Sequence, residues 1–390
     1  MLVNNIQKVK HYCLQENLAT FDPYDIWKTK LGFWVKNGFN KNKKLFITPA
    51  VFLTIFDIFI NNKTRFFYKK QEYPVVRAFA ALSLLNLYKK EQKQEYFNFA
   101  KKHIDWLIQN KAIYKNGFGW SIGFSWNISK GIMFTKNTPL STHTPYGLEA
   151  IYELYKITKD EKYLKYINEI FNFFEKDINI LYNKNNALAI SYGPFGNFIV
   201  NNATSYALFS YSIFYNIIPQ QKEHIKNKMI KFYNFLKHTQ RADASWLYAP
   251  FEENSFIDCF HSAIIVKNII KTKENIDFEL ENSTEIIDNA YSYIKESFYV
   301  EKKQLFKRFS LSNKPSITKF DLYDNAEMLN LAILMNDYNL VKILKKSIDN
   351  NFVKDDNIYS VIDLFNIKRN KNTLRWAVMP YIYAISNVNK

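Results

Sequence analysis

Apolar runs at helical spacing alternate along this chain with amphipathic runs of similar length, and the alternation repeats. YPVVRAFAALSLLNLYKK (residues 73–90) is followed by EYFNFAKKHIDWLIQN (95–110), and THTPYGLEAIYELYKI (142–157) by EKYLKYINEIFNFFEKD (161–177). Three further pairs start at residues 201, 258 and 323, and a sixth begins with LRWAVMPYIYAIS (374–386). In each pair the first run is apolar all round and predicts a helix buried on every side. The second carries a polar stripe and predicts a helix facing water. The leading residues, near Arg77, Thr144, Asn202, His261, Asn325 and Arg375, stand roughly 50 to 67 residues apart, the length that two helices and their loops require.

The pattern predicts an all-α fold, an (α/α)6 toroid of about six helical hairpins with minor β structure in the loops, LAISYGPFGNFIV (188–200) being one such β piece. The sixth hairpin lacks its second helix. A helix within an N-terminal segment, residues 1–65, is expected to supply it and close residues 1–390 into one domain. An open solenoid would instead need polar caps at both ends, and no such caps stand out.

Only 9 Gly and 10 Pro occur in 390 residues, which argues for long helices over a many-turned β protein. The greasiest run, Phe46 to Ile60, is too short to span a bilayer, contains Asp57, and reads as a buried helix. The N-terminus has no apolar signal region, and Cys13 and Cys259 are far apart, so a reducing, cytoplasmic location is expected. The net charge of +17 suits an acidic partner. Its lysines are scattered, and Lys, Asn, Ile, Phe and Tyr are inflated together, which gives the charge a compositional reading as well. A peripheral membrane association through lysine stays open. A nucleic-acid partner would require a contiguous basic groove, and none is visible.

Chemistry is expected where the inner helices start, because all of them point their N-termini at one mouth, where free N–H groups favour anions. The residues there are Trp120, Trp126 and His143; Tyr192 and Asn202; Trp246, Tyr248, Asp258 and His261; Tyr323, Asp324 and Glu327; and Arg375 with Trp376. Deeper helix positions read as plain Ala, Leu and Ile. Asp258 and His261 share a helix face, which suits an acid/base pair and equally a helix cap beside a buried histidine. Asp324 and Glu327 have the same spacing and read as a general acid and base or as a capping box. Arg375 could grip a carboxylate in bidentate fashion or pair with Asp324 or Glu327. No P-loop, HExxH, CxxC or GxSxG motif occurs, so neither a metal nor a cofactor is expected.

The segments WLYAPFEENSFIDCFHSAIIV, YDNAEML, LRWAVMPYIYAIS and FDPYDIW resemble signatures of α/α-toroid proteins encoded in bacterial capsule, lipopolysaccharide and exopolysaccharide clusters. That toroid is similar to the C-terminal domain of glucuronyl C5-epimerases. The chain departs from the pattern at Cys259 and at Ser262-Ala263, while Asp258, His261, Glu327, Arg375 and Trp376 match. The resemblance implies an enzyme acting on an acidic, uronate-containing poly- or oligosaccharide, some of it lipid-linked, by proton exchange at C5. In that reading Arg375 binds the carboxylate, and His261, Tyr192 or Tyr248 moves the proton. Hydrolysis or elimination through Asp258, Asp324 or Glu327 is a second expectation, and a non-catalytic glycan-binding subunit a third.

Overall fold

The computed structural model describes residues 4–129, 132–312 and 316–388. More than half of the described residues, 58%, are helical. Six inner helices form a closed ring. Pro74–Glu91 packs on Thr144–Thr158, and the contacts pass through Asn201–Ile217, Cys259–Asn275 and Leu322–Leu334 to Met379–Asn387, which returns to Pro74–Glu91. Outer helices Gln94–Gln109, Lys162–Lys176, Lys222–Thr239, Ser283–Phe298 and Tyr338–Phe352 follow the first five. The twelfth place is taken by Asn5–Cys13, which packs against both Met379–Asn387 and Pro74–Glu91. The predicted α/α toroid is the observed fold. Of the N-terminal segment, only Asn5–Cys13 is one of the ring helices.

The two layers follow from side-chain chemistry. Pro74–Glu91 buries every residue from Pro74 to Leu87, its one charge there, Arg77, being paired with Glu72, and each fully buried Leu, Val or Phe contributes about 1.5–3 kcal/mol. Lys162–Lys176 buries Tyr163, Ile167, Ile170, Phe171 and Phe174 on one stripe and leaves its lysines outside. Helix ends are marked by local chemistry. Pro74 and Pro145 sit in first turns, where no N–H is needed. Left-handed Gln92 and Lys159 stop the first two inner helices. Asp258 and Asp321 cap the fourth and fifth, accepting from the backbone N–H groups of His261 and Tyr323.

The β structure is confined to loops. Ile180–Lys184 pairs with Ala187–Ile190, so only the start of the 188–200 segment is strand. A four-stranded sheet of Thr318–Asp321, Asn357–Asp363, Val353–Lys354 and Lys368–Lys371 lies before the last inner helix.

Two expectations are corrected. The barrel interior is not plain apolar: Lys267 meets Glu327 at 2.5 Å, and Lys271 meets Glu149 at 2.5 Å, with Asn268 and Ser205 bonded beside them. Nor is the greasy 46–60 segment buried. Helices Lys30–Lys41 and Lys43–Ile55, with the π-helical turn Phe56–Ile60, form a hairpin with its own small core around Ile26, Val35 and Leu53, outside the ring. Most of the large apolar side chains on Lys43–Ile55 are exposed, while Asp57 is turned inward to accept from the Tyr68 hydroxyl at 2.5 Å.

Candidate functional site

A cavity of about 230 Å³ opens where the inner helices begin, and every one of the six helix starts contributes to its wall. Val75 comes from the first; Thr142, His143 and Tyr146 from the second; Tyr192, Asn202 and Tyr206 from the third. Tyr248, Phe260, His261 and Ile264 come from the fourth, Tyr323 from the fifth, and Arg375 with Trp376 from the sixth. Tyr24 and the loop residues Ile122, Phe124 and Trp126 complete the rim.

His261 is the one expected acid/base group on this wall with an oriented imidazole. Its Nδ1 lies 2.8 and 2.9 Å from the two carboxylate oxygens of buried Asp258. The same carboxylate accepts the His261 backbone N–H at 3.1 Å. With Nδ1 held, Nε2 is the nitrogen left for a ligand. Asp258 is thus both cap and orienting group, so the two readings of this pair are compatible. Tyr248 leans over the imidazole with ring centroids 4.6 Å apart and is itself stacked on Phe256.

Burial pushes the phenols of Tyr192 and Tyr248 above the ordinary tyrosine value, which keeps them protonated as hydrogen-bond donors and makes them poor bases. Tyr146 and Tyr206 join through their hydroxyls, both phenols pushed up by burial. Burial, then the charge of Arg375, pushes His143 down to about 3, so it faces the cavity as neutral imidazole, with Nδ1 3.1 Å from the Thr142 hydroxyl. Asn202 Oδ1 is buried without a hydrogen-bond partner among the described residues, which leaves an acceptor for a ligand N–H or O–H.

Arg375 is engaged by a residue other than those expected. It donates from Nε and Nη2 to the two carboxylate oxygens of Asp22, at 2.5 and 2.8 Å. Burial opposes the charge on Asp22, yet Arg375 and Lys28 outweigh it and hold its carboxyl below the usual range. The guanidinium is walled by the rings of Tyr24, Phe124 and Trp376 at 5.3–5.7 Å. Just beyond it the backbone breaks: Ala377 has φ +93°, a left-handed angle that costs a residue with a Cβ on the order of 1 kcal/mol or more. This kink separates Arg375 and Trp376 from the last inner helix and presents both at the mouth. Trp376 stacks on Tyr323 at 4.8 Å and donates from Nε1 to Asp321, which also accepts from Arg308 at 2.7 Å.

Four expected residues lie elsewhere. Trp120 and Trp246 are core: their indole N–H groups donate to the carbonyls of Leu107 and Leu236, and the Trp120 ring covers Gly147, where a Cβ would not fit. Asp324 is fully buried behind the wall, accepting from the Phe260 N–H at 3.1 Å; burial, outweighing the pull of Arg308, pushes its carboxyl far up. Glu327 is paired with Lys267 inside the barrel. Sequence reasoning missed Asp22, Tyr24, Phe124, Tyr146, Tyr206 and Phe260. Tyr24 and Asp22 lie in the quoted FDPYDIW segment, which was the available signal.

No family model and no curated protein matches the sequence. Solved structures do. Cellobiose 2-epimerase from Bacillus thermoamylovorans superposes with a TM-score of 0.62 at 11% identity, over 81% of this chain and 87% of that one. A GH76 α-mannanase from Bacteroides thetaiotaomicron gives 0.59 at 12%, over 94% and 98%. A polysaccharide lyase gives 0.56 at 10%, over 85% and 94%. At these identities the likeness establishes the shared α/α-toroid fold, and the neighbours that share it span three kinds of carbohydrate chemistry.

Proposed function

We propose that this protein is a carbohydrate-active enzyme of bacterial surface-polysaccharide biosynthesis that moves a proton on an acidic glycan, in the manner of a uronate C5-epimerase. The observation that carries the reading is the Asp258–His261 pair, whose free imidazole nitrogen is left for a ligand in a cavity walled by aromatic rings. Aromatic faces suit the C–H faces of sugar rings, and the cavity is smaller than the roughly 300–1,000 Å³ of ordinary ligand pockets. It therefore suits one sugar residue at a time.

In this mechanism His261, oriented by Asp258, removes the proton at C5, and neutral Tyr192 donates on the opposite side, Tyr248 lying against the His261 ring itself. Charge developing on the adjacent carboxylate is met by the converging helix N-termini and by Arg375. Because Asp22 already occupies two Arg375 donors, Arg375 contributes chiefly through its field. Hydrolysis by a carboxylate pair has less support, since Asp324 and Glu327 are sealed behind the wall.

The test is incubation with uronate-containing oligosaccharides in D₂O, read by NMR for deuterium at C5. Incorporation that vanishes in His261→Asn is expected. Absence of exchange on every uronate glycan tried, with glycan binding intact in His261→Asn, would favour a binding subunit instead.

A further inference from the structure

The hairpin outside the ring has apolar side chains on both sides. Its inner stripe, Leu53 with Ala50 and Phe56, meets the small core around Ile26 and Val35. Its outer stripe, Leu45, Phe52, Ile55 and Phe59, recurs at helical spacing and has no cover; Leu45 is 68% and Phe52 71% exposed. A surface helix ordinarily carries charge there. The patch continues beyond the hairpin, because Phe59 meets exposed Phe365 with ring centroids 6.4 Å apart.

The charges around this face have one sign. Residues 30–60 contain five lysines and a single acidic residue, Asp57. Asp57 is buried against Tyr68 and Arg65, whereas Lys43 and Lys44 are exposed at the hairpin bend. Neither helix can span a bilayer: 12 and 13 residues reach ~20 Å against ~30 Å of hydrocarbon, and no helix among the described residues is long and apolar enough to cross a membrane. The hairpin also adjoins the cavity. Asn40 donates to Asn127 at 3.0 Å, and Lys36 lies 5.0 Å over the ring of Trp126, which lines the cavity.

We propose that the 30–60 hairpin docks in the headgroup layer of an anionic lipid bilayer, with its outer apolar stripe immersed and its lysines on lipid phosphates. A second copy of this chain is the weaker occupant, since a twofold contact through this face would bring like-charged lysines together. Docking places the cavity rim beside the membrane, within reach of a substrate that carries a lipid anchor. The inference does not depend on the reaction assigned above.

Cosedimentation of the full chain with phosphatidylcholine vesicles, with and without phosphatidylglycerol, tests it. Binding at least tenfold tighter to the anionic vesicles, weakened by salt, is expected. Phe52→Glu/Ile55→Glu and, separately, Lys43→Glu/Lys44→Glu should each weaken it about tenfold or more, with circular-dichroism melts like the parent's. Absence of binding to anionic vesicles overturns the proposal, as does binding that neither variant changes. So does a dimer in sedimentation equilibrium that Phe52→Glu/Ile55→Glu dissolves while the parent ignores vesicles.

Discussion

Arg375 and Asp22 hold each other in a bidentate pair although 353 residues separate them in sequence. Both are almost fully buried. Replacing Asp22 with Asn leaves the guanidinium buried and under-compensated, so stability should fall by about 3–5 kcal/mol, read as a lower urea midpoint. The double variant Asp22→Leu/Arg375→Met, which removes both charges, should recover most of that loss. If the double variant is no more stable than the single one, the pair is not what holds these segments together.

His261 and Asp258 should separate by the size of their effects. His261→Asn removes the proton carrier and should lower kcat by about 10²–10⁴-fold, with glycan affinity changed little. Asp258→Asn keeps the helix cap, because Asn caps as well as Asp, but loses the charge that orients the imidazole. Its kcat should fall less, and its pH–rate profile should shift. Identical losses and identical profiles for both would remove Asp258 from the positioning role.

Glu327→Gln should behave as a folding defect. It leaves Lys267 buried without its carboxylate, a loss of about 3–5 kcal/mol. Thermal melts should drop while turnover per folded molecule stays near the parent value. A large fall in kcat with an unchanged melt would return Glu327 to the chemistry.

Stability should decline below neutral pH through buried histidines. His103 accepts from Arg77 at Nδ1 and, through Nε2, meets the Cys13 carbonyl at 2.8 Å, so the neutral ring is satisfied and a second proton would face a guanidinium. Burial, then the Arg77 charge, pushes it down to about 4. The unfolded chain, with histidine near 6.5, takes up that proton first as pH falls. Stability is therefore lost from about pH 6.5 down to about pH 4, by up to roughly 3 kcal/mol for this residue, and His143 adds in the same direction. Urea midpoints at pH 7 and pH 5 measure it, and equal midpoints would contradict it.

The hairpins were legible in sequence because periodicity is local: Pro74–Glu91 and Lys162–Lys176 differ in pattern for reasons written within each helix. The mouth was legible too, since the polar and aromatic residues at helix starts need only the shared direction of the inner helices. Pairings across the ring were not. Nothing near Arg375 names Asp22 as its partner, and nothing near Lys267 or Glu327 says that they meet in the barrel interior. Trp120 and Trp246 were misplaced because an indole that donates to a helix-end carbonyl has the same sequence neighbourhood as one that stacks on a ligand. Phe46 to Ile60 misled for a different reason. A helix apolar all round looks the same in sequence whether its second face meets protein or something else.

Closing the ring through Asn5–Cys13 also sets an order of events during synthesis. That helix leaves the ribosome before the other ring helices, and its partner Met379–Asn387 leaves after them. At roughly 5–20 residues per second, the nascent chain must carry an unmatched amphipathic helix and an Asp22 without its Arg375 partner for tens of seconds. Five hairpins can stack meanwhile, yet the barrel stays an open arc until Met379–Asn387 arrives, so chaperone demand should last until that helix emerges.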